Sequence, residues 1–557
     1  MQPGDHPVGM CHIIPPTNFE AGCRLITKIK IRGYRIYTDF TLSPNPKLNL
    51  IVGGNEAGKS TLMEAIALAL TGRIGGRSAS EELNPHWFNA GVVADFVAKI
   101  ERGERPRFPE IHIELYFADK PELQRLCGAI NTDVPTLACP GLSLRIMPNP
   151  DYADELAGWM AKPSSLLPVE FYLVDWRSFA DERISNRPRQ LAAAIIDSRT
   201  VRSSSGVDYH LRQILGDHLD PPERAAVSLA YRELKATMST TALDAINKRI
   251  GTIHASLHDQ PISLAMDQSA RTAWDGVVTP HVNDVPFSMS GQGQQAAIKI
   301  SLALNRNAGH AAFVMIEEPE NHLSHTSLTT LLSRIEALTG DHQQLFITTH
   351  STFVLNRLGL DAILLLAHGK TSKITTLDPE TVSYFQRLPG YDTLRMALAK
   401  KIVLVEGPSD EIVFERFFKD LFGKRPMELG IDVISMRGLS LARCLEFCAA
   451  LDKPVAAMRD NDGTDPAELS TSVDAWLSPG RRELFIGEVA HGHTLEPQII
   501  HHNGEATLRS LLGITASADL HKWMSREKTE TAFRIANATS KLTPPKYMRQ
   551  AAAFIHG

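Results

Sequence analysis

Apolar and polar positions alternate along "LITKIKIRGY", which predicts a strand ending at Gly33, with "TDFTLSP" as its hairpin partner. "LNLIVGG" predicts a short apolar strand running into a glycine loop, and "STLMEAIALAL" places its apolar residues at helical spacing. After a charged loop, "ERGERPRFP", comes another predicted strand, "EIHIELYF". From about residue 185 to 260 the pattern changes. "LRQILGDHL", "PPERAAVSLAYRELKATM" and "TALDAINKRIGTIHASL" are helical in period with no strand candidate, which reads as an inserted helical unit suited to packing against a partner.

Alternation of elements resumes with "QQAAIKISLAL" (helix), "AAFVMIEE" (strand), "HTSLTTLLSRIEALTG" (helix) and "QQLFITTH" (strand). A new cycle follows: "KIVLVEG", "SDEIVFERFFKDLF", "IDVISM", "SLARCLEFCAALD" and "PVAAMRD". Strand and helix in strict turn predict a small parallel α/β sheet. Residues 1–23, with Pro3, Pro7, Pro15 and Pro16, read as a loose extension.

Composition narrows this picture only a little. A chain of 557 residues exceeds one hydrophobic core and suggests about three or four domains. With 43% hydrophobic and 22% charged residues and a net charge of -5, any nucleic-acid surface has to be a local patch. The six cysteines form no C-x-x-C pair; Cys444 and Cys448, one helical turn apart, read as small buried residues. That usage fits a reducing cytoplasm. Without a signal-like start or a long apolar run, neither export nor a membrane span is expected.

Candidate chemistry changes it more. Gly53, Gly58, Lys59 and Ser60 match G-x-x-x-x-G-K-[ST] between an apolar strand and a helix. Such a loop, which also contains Asn55 and runs on to Thr61, turns backbone N–H groups towards phosphate at a helix N-terminus. Lys59 is expected to reach the outer phosphates of ATP and Ser60 to ligate Mg²⁺. Glu317, at the end of an apolar strand, is placed for the same Mg²⁺, and Glu318 for orienting or deprotonating water. His350 ends another strand, where a polar group reaches the γ-phosphate. His322 and His325 in "ENHLSH" read as part of a connecting loop rather than as a zinc site.

The order of glycine loop, serine–glycine segment "FSMSGQGQQ", acidic strand end and histidine strand end resembles the ATP-binding-cassette ATPases, in particular the branch akin to recombination and chromosome-maintenance ATPases. Arg35 stands where that branch has an arginine. The resemblance implies a head-to-head dimer in which one protomer's signature covers ATP on the other. The signature here is S-G-Q-G-Q instead of S-G-G-Q, so Ser288 and Ser290 both compete for the phosphate; Ser290, with Gly291, is favoured.

A second constellation lies in the last third. Glu406 falls just past an apolar strand with Asp410 one turn on, and Asp460 and Asp462 flank Asn461 at another strand end. Strand ends on one edge of a parallel sheet converge, and ligands collect there. Carboxylates crowded together need cations, and oxygen donors suit Mg²⁺ or Mn²⁺. Two such ions about 4 Å apart stabilise both attacking and leaving oxygens in phosphodiester cleavage. "VEGPSD" followed by "DND" resembles the Toprim domain of topoisomerases, primases and certain nucleases. The nuclease branch implies two further residues: Glu496 in "TLEP" as a metal ligand, and Lys528 in "REKTETAFRIA", with Lys546 second, to stabilise charge on the scissile phosphate.

The whole arrangement resembles the overcoming-lysogenization-defect (OLD) family of ATP-dependent nucleases. That resemblance implies an α/β chain divided into a loose extension (1–23), an ABC-type ATPase in two parts (24–180 and 263–395), an inserted α-helical dimerisation unit (181–262) and a C-terminal Toprim domain with a Rossmann-like parallel sheet (396–557). It implies ATP and Mg²⁺ or Mn²⁺ as cofactors, DNA as substrate, a homodimer or higher assembly, and service in anti-phage defence, in some members beside a helicase-like partner, as in Gabija systems, or a retron. An RNase under ATPase control, and an ATP-gated clamp that binds nucleic acid without cutting, remain as alternatives.

Overall fold

The computed structural model describes residues 25–557 apart from several breaks, the longer ones at 198–219, 252–261 and 299–312; Asn55 and His322 fall in shorter ones. The expected N-terminal extension and the "LRQILGDHL" helix lie outside the described residues. The chain forms two compact units. The first comprises residues 1–51, 58–349 and 368–370; the second comprises 52–57, 350–367 and 371–557.

In the first unit, β1 (Ile26–Tyr34) and β2 (Tyr37–Leu42) make the expected hairpin, pairing Ile29 with Leu42 and Tyr34 with Tyr37. Strand β3 (Leu48–Gly53) leads to α1 (Lys59–Thr71). Asn89, whose side chain accepts from the N–H of Val92, caps a helix α2 (Ala90–Glu101) that runs up to the expected charged loop. Strands β4 (Ile111–Phe117), β5 (Cys139–Pro148) and β6 (Tyr172–Ser178) complete an antiparallel sheet in the order β2-β1-β4-β5-β6.

A second sheet in this unit is parallel and carries the nucleotide motifs. One of its strands corrects the reading of 185–260 as strandless: β7 (Ala193–Asp197) pairs in parallel with β8 (Phe313–Glu317), Asp197 opposite Glu317. "AAIID" is too short for period to separate strand from helix, and burial in the sheet decides it. Helix α3 (Pro221–Thr240) opens the remaining helical segment with a capping box between Asp220 and Glu223. Along it Val227, Leu229, Leu234 and Met238 are exposed. After α4 (His325–Leu338), β9 (Gln344–Thr348) pairs with β8 and β3, giving the order β7-β8-β9-β3. These strands are apolar and buried because both faces of a parallel sheet are covered. Gln344, fully buried, ties this sheet to the hairpin through the N–H of Ile26 and the carbonyls of Ile26 and Asn45.

In the second unit, the predicted cycle forms as β10 (Lys401–Val405), α5 (Pro408–Phe422), β11 (Ile431–Ser435), α6 (Leu441–Ala450) and β12 (Val455–Arg459). A fourth strand, β13 (Arg482–Ile486), completes a parallel sheet in the order β11-β10-β12-β13. Helices α7 (Leu495–Asn503), α8 (Lys528–Asn537) and α9 (Lys546–His556) follow. The core joins Val403, Phe414, Phe417, Met458, Ile535, Met548 and Ala552. Cys444 and Cys448 are fully buried on α6, and burial pushes the Cys444 thiol up to about 12. Among the described residues no helix is long and apolar enough to cross a membrane.

Candidate functional site

Parallel register sets the phosphate-loop side chains. Thr348 on β9 lies opposite both Glu317 on β8 and Ile51 on β3, so these strand ends share one edge. Ser60, at the start of α1, and Glu317 meet there, with Oγ 3.3 Å from Oε2 across 257 residues of sequence. A hydroxyl beside a buried carboxylate fits a shared Mg²⁺.

Lys59 is the first residue of α1 and is buried, and the first turn carries no acid to oppose an anion at the helix N-terminus. Gly58 sits at φ 98, and a Cβ there would stand 2.7 Å from the Tyr37 hydroxyl, which itself donates to the Gly58 carbonyl. Glu318 turns away from the strand at φ 46; its N–H donates to the Thr348 carbonyl and its Oε2 accepts from Asn321. His350 is exposed beyond the end of β9. Arg35 pairs with Glu64 at 2.7 Å, and the Tyr34 hydroxyl donates to the same carboxylate. The N–H of Ser290 bonds the Phe287 carbonyl, and Gln295 donates back to the Ser290 carbonyl, which holds the signature turn ahead of its helix. Gly291 is exposed with open space about it.

The acidic pocket forms at the carboxyl edge of the second unit's sheet. Leu404 pairs with Ala457, so Glu406, just beyond its strand, falls level with Arg459, and Asp460 follows one residue on. The N–H of Asp460 donates to Oε1 of Glu406 at 3.2 Å, and the N–H of Leu495 donates to Oδ2 of Asp460 at 3.2 Å. Asp410 takes the N–H of Gly407 on its Oδ2 at the start of α5. Glu496 lies buried in the first turn of α7 with the Thr494 hydroxyl 2.7 Å from its Oε2. Lys528, first residue of α8 and half-exposed, holds its Nζ 3.6 Å from Oε1 of Glu496. Lys546, the second candidate, is engaged elsewhere: its Nζ lies 2.7 Å from Glu488.

These carboxylates disturb one another. Burial first, then the charges of Asp410, Glu406 and Glu496, pushes Asp460 up to about 8. Burial, together with Glu496, pushes Asp410 up to about 6 against the N–H of Gly407 and the charge of Lys528. Glu406 is raised by burial, Asp462 and Asp410. Solvated loop acids would show no such conflict. A buried, self-repelling set of oxygen donors is what a hard dication relieves, so the residues fit Mg²⁺ or Mn²⁺.

Three participants escaped the sequence reading. Asn461 is fully buried between the two aspartates. Its Nδ2 donates to the carbonyls of Gly487 and Gly492, and its Oδ1 faces the N–H of Gly463 and Nδ1 of His493. Arg459 brings Nε to 3.6 Å of Glu406. Tyr547 on α9 is buried with its hydroxyl unpaired, and burial plus the charges of Asp460, Asp410, Glu406 and Glu496 raise its pKa far above the usual phenol range. A 520 Å³ cavity lined by Glu406, Arg459, Ser440 and Val473 opens beside the pocket.

Residues 28–120 match a family model described as an AAA domain, and residues 184–356 match a second described as "AAA domain, putative AbiEii toxin, Type IV TA system". Residues 398–462 match the overcoming lysogenization defect protein-like TOPRIM domain. No curated protein matches the chain. Among solved structures it is similar to the C-terminal region of the Burkholderia pseudomallei OLD protein, at 19% identity over 28% of this chain and 97% of that one, with a TM-score of 0.23. It is also similar to the SMC head domain from Thermotoga maritima (12% identity, 62% and 97% covered, TM-score 0.29) and to the recombination mediator protein RecF bound to ATP (12%, 62% and 98%, 0.33). Scores this low carry no functional weight. The family matches do: the chain joins an AAA-type ATPase fold to an OLD-like Toprim domain.

Proposed function

We propose that this chain, an ATPase–Toprim protein of the overcoming-lysogenization-defect family, is a metal-dependent DNA endonuclease or nickase whose cutting is governed by ATP binding or hydrolysis. The observation that carries this reading is the convergence of Glu406, Asp410, Asp460 and Glu496 from three segments of the chain into a buried pocket where Asp460 is pushed up to about 8. Glu406, Asp460 and Asp462 would hold one cation, and Asp410 with Glu496 would hold another. When bound, Mg²⁺ or Mn²⁺ supplies an activated water and stabilises charge on the leaving oxygen.

The chain's own residues do the rest. Lys528 presents an ammonium at the rim beside Glu496, where a scissile phosphate would gain charge stabilisation. Asn461 keeps Asp460 and Asp462 at the pocket by anchoring the turn between them. In the ATPase, Gly53, Asn55, Gly58 and Thr61 would line the phosphates, Lys59 would contact the outer ones, and Ser60 with Glu317 would hold Mg²⁺. Glu318 and His350 would act at the γ-phosphate. Ser290 and Gly291 of one protomer would close the site of another in a homodimer, with residues 24–180 and 263–395 as ATPase, 181–262 as helical dimerisation unit and 396–557 as nuclease. Cytoplasmic anti-phage defence, with or without a helicase-like or retron-encoded partner, is the setting the family resemblance supports.

Purified protein incubated with plasmid DNA or RNA and Mg²⁺ or Mn²⁺, with and without ATP, tests this. DNA nicking or cleavage lost in Asp460→Ala is expected. Lys59→Ala is expected to lose ATP binding and to change the ATP dependence of cutting. Cleavage that survives Asp460→Ala would sink the pocket assignment; cutting confined to RNA would favour an RNase, and none at all a non-cleaving clamp.

A further inference from the structure

Beyond the acid pocket the second unit holds one more group of donors. Glu488 lies two residues past β13, His491 ends the 3-10 turn Val489–His491, and His502 sits on α7. One donor atom from each lies within 4.8 Å of the others. The Nδ1 of His491 is 2.9 Å from Oε2 of Glu488 but off the line of a hydrogen bond, and both it and Nε2 of His502 are buried with no hydrogen-bond partner among the described residues. Buried imidazole nitrogens left unmatched require an explanation. Three donors thus lie within reach of one small cation, with two of the imidazole nitrogens outside any hydrogen bond.

The surroundings fix these donors. His501 stacks on His491 with centroids 3.7 Å apart, and His502 stands edge-on to His491 at 87°. Lys546 engages Oε1 of Glu488, orienting the carboxylate and leaving Oε2 towards the histidines. Burial and the neighbouring His501, His491 and Arg549 hold His502 below the usual histidine range, against the pull of Glu488. With one Glu488 oxygen taken by Lys546, two imidazole nitrogens and a single carboxylate oxygen make up the set. That chemistry selects a nitrogen-binding dication over Mg²⁺.

We propose that Glu488, His491 and His502 form a second metal site, for one zinc-class dication with water as its fourth ligand, distinct from the acid pocket. Its role is to staple the turn after β13 to α7. That turn carries Gly492, whose carbonyl accepts from Asn461, and His493, whose carbonyl accepts from the Asp462 N–H. Gln498 on α7 already bonds the carbonyls of Glu488 and Gly492, so an ion there would add a third tie to the same turn. The site therefore sets the rigidity of the D-N-D turn from outside the nuclease pocket.

The test uses the full chain, stripped with a chelator, held in excess Mg²⁺ to fill the acid pocket, and titrated with Zn²⁺ against a chromophoric zinc indicator. One zinc per chain is expected in the unmutated protein and in Asp460→Asn, with affinity at least tenfold weaker in His491→Gln and His502→Gln. Unchanged zinc affinity in both histidine variants, or no zinc bound under excess Mg²⁺, would overturn the site. Co²⁺ added to the unmutated protein gives a reading that needs no variant. The visible absorption of a four-coordinate nitrogen–oxygen site supports the proposal, and its absence refutes it.

Discussion

The ammonium of Lys528 stands 3.6 Å from a carboxylate oxygen of Glu496, joining the start of α8 to the first turn of α7 at the mouth of the acid pocket. Glu496 is buried and Lys528 half-exposed, so the cation faces solvent and, in the proposed reaction, the substrate's phosphate. Lys528→Ala is expected to lower cleavage by about 100-fold or more, the scale of losing one preorganised charge-stabilising group. Mg²⁺ binding, followed by calorimetry, should persist. A variant that cuts normally would remove Lys528 from the chemistry.

Asp460 and Asp410 are expected to make the metal-free protein pH-sensitive. Both folded pKa values are raised above the ordinary aspartate value, so the folded state binds protons more tightly than the unfolded state. Their contribution is fully present below about pH 4 and is lost as pH rises through about 6 and 8. Thermal melts of chelated protein should therefore fall across that window from this source, and Mg²⁺ should flatten the trend. A melting temperature that rises between pH 6 and 9 without metal would contradict it.

Asp460→Asn removes a buried charge from that conflict. At pH 8 without metal it should melt roughly 2–4 °C higher for each kcal/mol of repulsion relieved, while abolishing cleavage. Calorimetric scans beside a plasmid assay would check both halves.

Ser60→Ala and Glu317→Gln each remove one side of the 3.3 Å contact at the phosphate loop. Both are expected to weaken ATP binding about tenfold or more when Mg²⁺ is present, and much less in its absence. Fluorescent-nucleotide titrations with and without Mg²⁺ distinguish this from a general loss of the loop, which would weaken both equally.

Asn461→Ala would leave the Gly487 carbonyl without its side-chain donor and the Gly492 carbonyl with that of Gln498 alone, while the Gly463 N–H would lose its acceptor. Each buried group left unpaired costs about 1–3 kcal/mol, so denaturant unfolding should show a clear loss. Metal affinity in the pocket should fall with it, because the turn carrying Asp460 and Asp462 loses its anchor.

The pocket was legible wherever an acid directly followed an apolar strand, since a parallel sheet brings such ends to one edge whatever lies between them. Glu406 and Asp460 are of that kind, Asp410 follows in the first turn of the next helix, and Ser60 with Glu317 obeys the same logic. Tyr547 was not legible: on an amphipathic helix its position reads only as core, and nothing local tells which charges it meets. Arg459 and Asn461 stood inside quoted motifs, but their partners come from the first strand of the sheet and from the turn after the fourth. Glu488 and His491 come from one turn and His502 from the helix after it, and nothing in the spacing of the two segments shows that they meet. Strand Ala193–Asp197 failed for a different reason, being too brief for its period to count.

Helix α9 packs Tyr547, Met548, Ala551, Ala552 and Ile555 into the same core as Val403, Val405 and Met458, on the strands that end at the acids. During synthesis the sheet, and every carboxylate it displays, emerges well before that helix does. Until α9 has emerged, the nascent sheet lacks one of its covering helices. A chain interrupted before α9 would carry all five acids on a sheet that lacks part of its apolar cover.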